Sequence, residues 1–331
     1  MKALRDTVLD PFLLSIFAVA ALASIFPASG TAEDVLGWVT RVAIGLLFLI
    51  YGARLSPRDA WEGVKHWRLH SVILASTYLL FPALGLALRV LESSLLSEDL
   101  YTGMLFLCLV PSTVQSSIAF TSIARGNVAG AVVSASFSNI LGVFVTPLLV
   151  LALMTTTGSA SIDPSSILDI VAQLLLPFAV GQLLRPWVTG WLTRHSASTK
   201  LVDRGSILLV VFSAFSASMN QHVWSSVALW RIGIVVAVCI LLLALVLTIT
   251  WYAGKWFGFS LEDRLVLLFC GSKKSLASGL PMAAVLFVGQ PIGLIVLPLL
   301  LFHQIQLMVC TVIAQHFARR PEPSPAAVVA D

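Results

Sequence analysis

Charge is scarce in this sequence. Only 11% of its 331 residues are Asp, Glu, Lys or Arg, while 58% are hydrophobic. A soluble domain carries roughly 25% charged residues, so this chain has little with which to build a solvated surface. Its apolar residues fall in runs of about 20, the length that crosses about 30 Å of hydrocarbon as a helix, and this excludes an ordinary soluble domain. Cysteine is limited to Cys108, Cys239, Cys270 and Cys310, each inside an apolar run. With no CxxC pair and no His or Asp at ligand spacing around them, neither a disulfide framework nor a metal centre is expected. The net charge of +4 comes without a basic block interleaved with aromatics, so nucleic acid is not an expected partner. No GxSxG, no HExxH and no mid-membrane aspartate pair occurs. An intramembrane hydrolase would rest only on Ser112 or Ser272 beside a lysine or His303, so no catalytic residue and no cofactor is expected. All sixteen Asp and Glu residues stand at span ends, in loops or in the tail. A sodium site built on a carboxylate therefore has no mid-membrane candidate.

What is present is a series of ten apolar segments, at about 10–27, 35–53, 69–91, 100–124, 128–154, 166–188, 201–219, 231–254, 264–288 and 292–317. The first resembles a secretory signal, with Lys2 and Arg5 before it and Ala28 and Ser29 after it. The run from Pro11 to Phe26 is long for a signal core, and the sequence predicts a retained span. Fifteen of the twenty Lys and Arg residues lie on one set of alternating loops and both termini; the opposite loops hold Arg89 and Arg231. Positive charge is retained on the cytoplasmic side, which predicts an even number of spans with both ends in the cytoplasm of a bacterial inner membrane. Two halves are expected, 1–157 and 158–320, followed by a disordered tail, 321–331. Asp10 and Asp169 open the corresponding first spans. Five spans per half is odd, so the repeat would be inverted, the arrangement that places a transporter's site where interrupted helices meet.

Spans 4 and 9 are the expected interruptions. In span 4, Pro111 falls near the bilayer centre and is followed by Ser112, Thr113, Gln115, Ser116 and Ser117. Proline removes a donor and clashes with the preceding turn, and small polar residues recover the freed groups or line a cavity. In span 9, Gly271, Ser272, Lys273, Lys274 and Ser275 lie beyond Arg264 at a depth of roughly 13 Å. Two lysines there cost about 2.5–3.5 kcal/mol each on insertion scales, so protein, water or ligand must compensate them. With the positive ends of two half-helices nearby, they are expected to make an anion-friendly cavity. Span 5 adds Ser136, Ser138 and Asn139, and span 10 adds His303 and Gln306. His303 could relay a proton or accept from a lysine, or simply pack. The plainer reading of the serines and threonines is that they tie helices together.

The stretches PSTVQSSIAFTSIARGNVAGAVVSAS, LPFAVGQLLRP and FCGSKKSLASGLP resemble the bile acid:sodium symporter superfamily across essentially the whole chain. The likeness is closest to its bacterial sodium-dependent-transporter branch, related to the seventh member of solute carrier family ten. The resemblance implies an all-α protein of ten helices, with spans 1, 2, 6 and 7 as a panel and a core in which spans 4 and 9 cross. It also implies two sodium sites, with Ser116, Ser117, Ser136 and Ser138 matching their polar ligands. The departure is in span 9, where Phe269 and Lys273-Lys274 replace a glutamate and a Gln-Asn pair. An ammonium in that region supplies the positive charge itself, so coupling to Na⁺, to H⁺ or to neither stays open. The expected function is secondary transport of a small organic anion. The competing reading is a non-transporting regulator of ion homeostasis or envelope assembly, in which the two lysines form structural ion pairs.

Overall fold

The computed structural model describes residues 11–54, 66–92, 94–157, 164–220 and 228–320. Expectations for Lys2, Arg5, Asp10, Arg58, Lys65 and the tail 321–331 fall outside these residues. Among the described residues every regular element is a helix, apart from an isolated bridge between Glu92 and Leu96. The first three are α1 (Pro11–Ile25), α2 (Thr31–Arg54) and α3 (Trp67–Leu91). Then come α4 (Glu98–Leu109), α5 (Gln115–Ile123), α6 (Val128–Thr157), α7 (Pro164–Arg194) and α8 (Ser196–Asn220). The last four are α9 (Leu229–Trp256), α10 (Leu261–Gly271), α11 (Leu276–Leu286) and α12 (Ile292–Ala318).

Among the described residues six helices are long and apolar enough to cross a membrane: α2, α3, α6, α8, α9 and α12. The described residues are helical throughout their regular structure, and the chain is a multi-pass membrane protein. Spans 4 and 9 of the sequence each appear as two shorter helices, α4 with α5 and α10 with α11, separated by non-helical residues 110–114 and 272–275. Local chemistry explains where these pieces begin. Ser260 caps α10 by accepting from the Asp263 N–H at 3.2 Å, with Glu262 and Asp263 at the positive end of the helix. Ser275 caps α11 in the same way, accepting from the Ser278 N–H at 3.2 Å. Span 3 has its own irregularity, a π turn at Ser76–Leu80. Such turns are uncommon inside helices and concentrate at functional sites.

Packing sorts the helices into two groups. One is built on α2 lying along α7, with α8 against α1 and α2. In the other, α12 packs on α4, α5, α9 and α11, and α10 packs on α3, α5, α6 and α9. The groups meet where α8 touches α11 and α12, and where α7 touches α6 and α11. Tight backbone approach holds α2 to α7: a Cβ on Gly52 would run into the Phe178 carbonyl, and one on Gly181 into the Leu49 carbonyl. Gly181→Ala is therefore expected to destabilise the purified protein by about 1–3 kcal/mol through overpacking. Gly37→Ala, in the open part of α2, is expected to be neutral or mildly stabilising. Thermal unfolding of the two variants checks this, and equal melting temperatures would contradict it.

Candidate functional site

A helix that ends inside a membrane leaves its last four carbonyls without donors, and here two such ends lie against each other. At the end of α4, Cys108 and Val110 accept from the Lys274 ammonium at 2.8 and 2.9 Å. The Leu109 carbonyl accepts from the Thr146 hydroxyl at 2.9 Å, and Pro111 accepts from the Ser275 N–H at 2.8 Å. At the end of α10 the donors come from the other side. The carbonyls of Phe269, Cys270 and Gly271 accept from the hydroxyls of Ser117, Ser112 and Ser76, at 3.3, 2.6 and 2.8 Å. The Lys274 carbonyl accepts from Thr113 and from the Gln306 amide, whose oxygen in turn accepts from the Lys274 N–H. Each break thus supplies partners to the other, and Thr146, Ser76 and Gln306 complete the set from α6, α3 and α12.

The remaining sequence candidates divide. His303 joins the crossing through its Nδ1, 2.8 Å from the Gln306 amide nitrogen. The Ser138 hydroxyl accepts from the Ser112 N–H at 3.2 Å, and its carbonyl accepts from Tyr78 at 2.6 Å. Ser272 turns back onto its own helix, donating to the Leu268 carbonyl at 2.5 Å. The Ser116 hydroxyl is buried without a hydrogen-bond partner among the described residues.

A cavity of about 680 Å³ opens beside the crossing. Its polar wall is formed by Thr113, Gln115, Ser136, Asn139, Ser275 and Ser278, with the Asn139 side-chain oxygen accepting from Ser278 at 2.6 Å. Its apolar lining includes Phe12, Val143, Phe178 and Ile207. The far end carries Arg54, Lys200 and Arg204 against one carboxylate, Asp203. Arg54 pairs with Asp203 at 2.9 Å and also donates to Thr199.

The two lysines do not line this cavity, which corrects the expectation drawn from their depth. Both are fully buried. Lys274 is consumed by carbonyls, and the Lys273 ammonium lies 3.8 Å above the centre of the Phe120 ring and 5.4 Å from that of Phe269. It has no hydrogen-bond partner among the described residues. Neither lysine is ion-paired there, so the structural ion pairs of the competing reading are not found. Sequence reasoning missed Arg54, Lys200, Asp203 and Arg204 as site residues because basic residues at a span's end read as sidedness signals. It missed Ser278 although this serine follows the break by one turn. It also missed Pro82, which has no N–H to give the Thr77 carbonyl across the π turn, while the Phe81 N–H is used on Ser76.

The SBF-like CPA transporter family model matches residues 10–319 of this chain. The chain belongs to that family. An uncharacterized protein of Pseudomonas aeruginosa is 51% identical over 96% of both chains. The "Putative symporter YfeH" of Escherichia coli is 44% identical over 97% of this chain and 96% of its own. A "Sodium/bile acid cotransporter 7-A" of Xenopus laevis is 28% identical over 91% and 90%. The resemblance in the sequence is thereby established, and the latter two relatives are named as a symporter and a cotransporter. As an SBF-like chain the protein is placed in a transporter family, and the crossing is its central feature.

Which polar groups hold the crossing and which face the cavity is testable by stability. Ser112→Ala and Thr113→Val each strip a donor from a buried carbonyl and are expected to cost about 1–3 kcal/mol. Gln115→Ala, on the exposed cavity side, is expected within about 0.5 kcal/mol of wild type. Melting of the purified variants checks this, and a uniform response would contradict the division.

Proposed function

We propose that the protein is a secondary carrier of a small organic anion working by alternating access. The carrying observation is the cavity: residues of both breaks line it, polar and apolar side chains share its surface, and it holds three cations against one carboxylate. Its volume suits a single small molecule. An amphipathic anion fits this lining, with its charge toward Arg54 and Arg204, its polar groups on Asn139 and Ser278, and its apolar body along Phe12 and Phe178. The ten helical segments are read as ten crossings in two inverted halves, 1–157 and 158–320, with α1, α2, α7 and α8 moving as a panel against the rest. The basic loops support reading both termini, and the cavity's Arg54 end, as cytoplasmic in a bacterial inner membrane.

Sodium coupling is not part of this reading. The hydroxyls that the family pattern assigns to sodium are used otherwise: Ser117 on the Phe269 carbonyl, Ser138 on the Ser112 N–H, and Ser136 on the cavity wall. Phe120 and Phe269, the aromatic neighbours of Ser117, already face the Lys273 ammonium. Among the described residues no cluster of carboxylates, His or Cys could hold a metal ion. The Xenopus relative's name joins sodium to bile acid; this chain is read as keeping the anion side and not the sodium side.

A screen of carboxylates and sulfonates by thermal stabilisation is expected to yield a ligand. Its affinity should fall about tenfold or more in Arg54→Gln, the loss of one charge-assisted contact. Its uptake into proteoliposomes should be unchanged when K⁺ replaces Na⁺. Ligands found only among cations, or strict sodium dependence of uptake, would overturn the corresponding half of the proposal.

A further inference from the structure

The surroundings of Lys274 resemble an ion site more than a side-chain contact. Its Nζ donates to the carbonyls of Thr77, Cys108 and Val110 at 3.0, 2.8 and 2.9 Å, and lies 4.1 Å from the centre of the Phe81 ring. An ammonium has three donors and no acceptor, and all three are used. A neutral amine would have only two, and its lone pair would face a third carbonyl oxygen, so this geometry calls for the charged form. Yet among the described residues the ion pairs are Arg54–Asp203 and Arg89–Glu92, both elsewhere. A charge withdrawn from water must be compensated, and here the compensation is main-chain dipoles. Cys108 and Val110 supply the negative end of α4. Thr77 belongs to the π turn at Ser76–Leu80, where the widened helix presents its carbonyl to the ammonium. Converging carbonyl oxygens are the means by which proteins strip and hold monovalent cations.

We propose that the Lys274 ammonium is a tethered monovalent cation. It permanently fills a cage of three main-chain carbonyls that binds span 3 to both breaks, and the emptied cage would accept a small dissolved cation. The neighbouring Lys273 is no substitute, since it rests on aromatic rings rather than carbonyls. The cage makes the crossing complete without an ion from solution. This stands apart from the anion-carrier reading, because its test needs no substrate.

The full chain, purified in detergent, is to be melted in NaCl, KCl, ammonium, methylammonium and choline chlorides at equal ionic strength. Wild type is expected to melt at one temperature in all five. Lys274→Ala in choline is expected to melt lower by roughly 10 °C, as for a broken buried charge contact, and to regain at least half of that loss in one of the small cations. Lys274→Met, whose side chain still occupies the cage, is expected to be weakened without any recovery. Stabilisation of wild type by a small cation over choline would overturn the proposal. So would a Lys274→Ala protein that no cation restores, or a Lys274→Met protein as stable as wild type. Should the alanine variant not accumulate, the wild-type salt series decides alone. Failure of any of these leaves the carrier reading standing, since uptake and ligand affinity are measured separately.

Discussion

A bilayer offers no hydrogen-bond partner to a main-chain N–H or C=O, and an unbroken helix is the usual answer to that constraint. Two spans of this chain forgo it at one place. Carbonyls at the end of α4 are satisfied by Lys274, Thr146 and Ser275, and those at the end of α10 by Ser117, Ser112 and Ser76. Neither break is chemically tenable alone. The small polar residues following Pro111 are donors for span 9, and the lysine in span 9 is a donor for span 4. The rest of the core arrangement follows, since α3, α6 and α12 must each stand close enough to contribute Ser76 and Thr77, Thr146, or Gln306.

Breaking the helices also exposes polar groups beyond those needed for the repair. Residues on the far side of the crossing, Gln115, Ser136, Asn139 and Ser278, face the cavity rather than the carbonyls. One sequence device therefore supplies both the donors that repair the broken helices and a polar lining for the cavity. The cations at the cavity's end come from other elements: Arg54 ends α2, and Lys200 and Arg204 lie in the first turns of α8. Fixed charge thus sits on one packing group and neutral polarity on the other. This separation suits a carrier whose two groups move relative to each other.

The helices were legible in the sequence because apolar runs and the basic loops between them report directly on lipid and water. Pro111 was legible as a break only because polar residues follow it. Pro147, Pro177, Pro186 and Pro298 lie inside helices that continue past them. The depth of Lys273 and Lys274 was legible, but their direction was not. Adjacent residues in a non-helical segment can point anywhere, and the carbonyls that draw in Lys274 belong to residues whose side chains are irrelevant to the contact. Arg54 and Arg204 carried the signal of a loop end, and only packing shows that they close a cavity. The hydroxyls of Ser117 and Ser138 suggested ion ligands by family pattern, whereas the structure uses them as helix-end donors and acceptors.

The central claim is that the crossed breaks form the floor of one cavity reached from either side in turn. Asn139 lies on the cavity wall, and the native Cys108, Cys239, Cys270 and Cys310 are all buried, so a cysteine placed at Asn139 is the reactive one. Membrane-impermeant maleimide, applied separately to the two faces of sealed, oriented vesicles containing Asn139→Cys, tests access directly. The account predicts labelling from both faces. Labelling from one face only, however long the exposure, would contradict it.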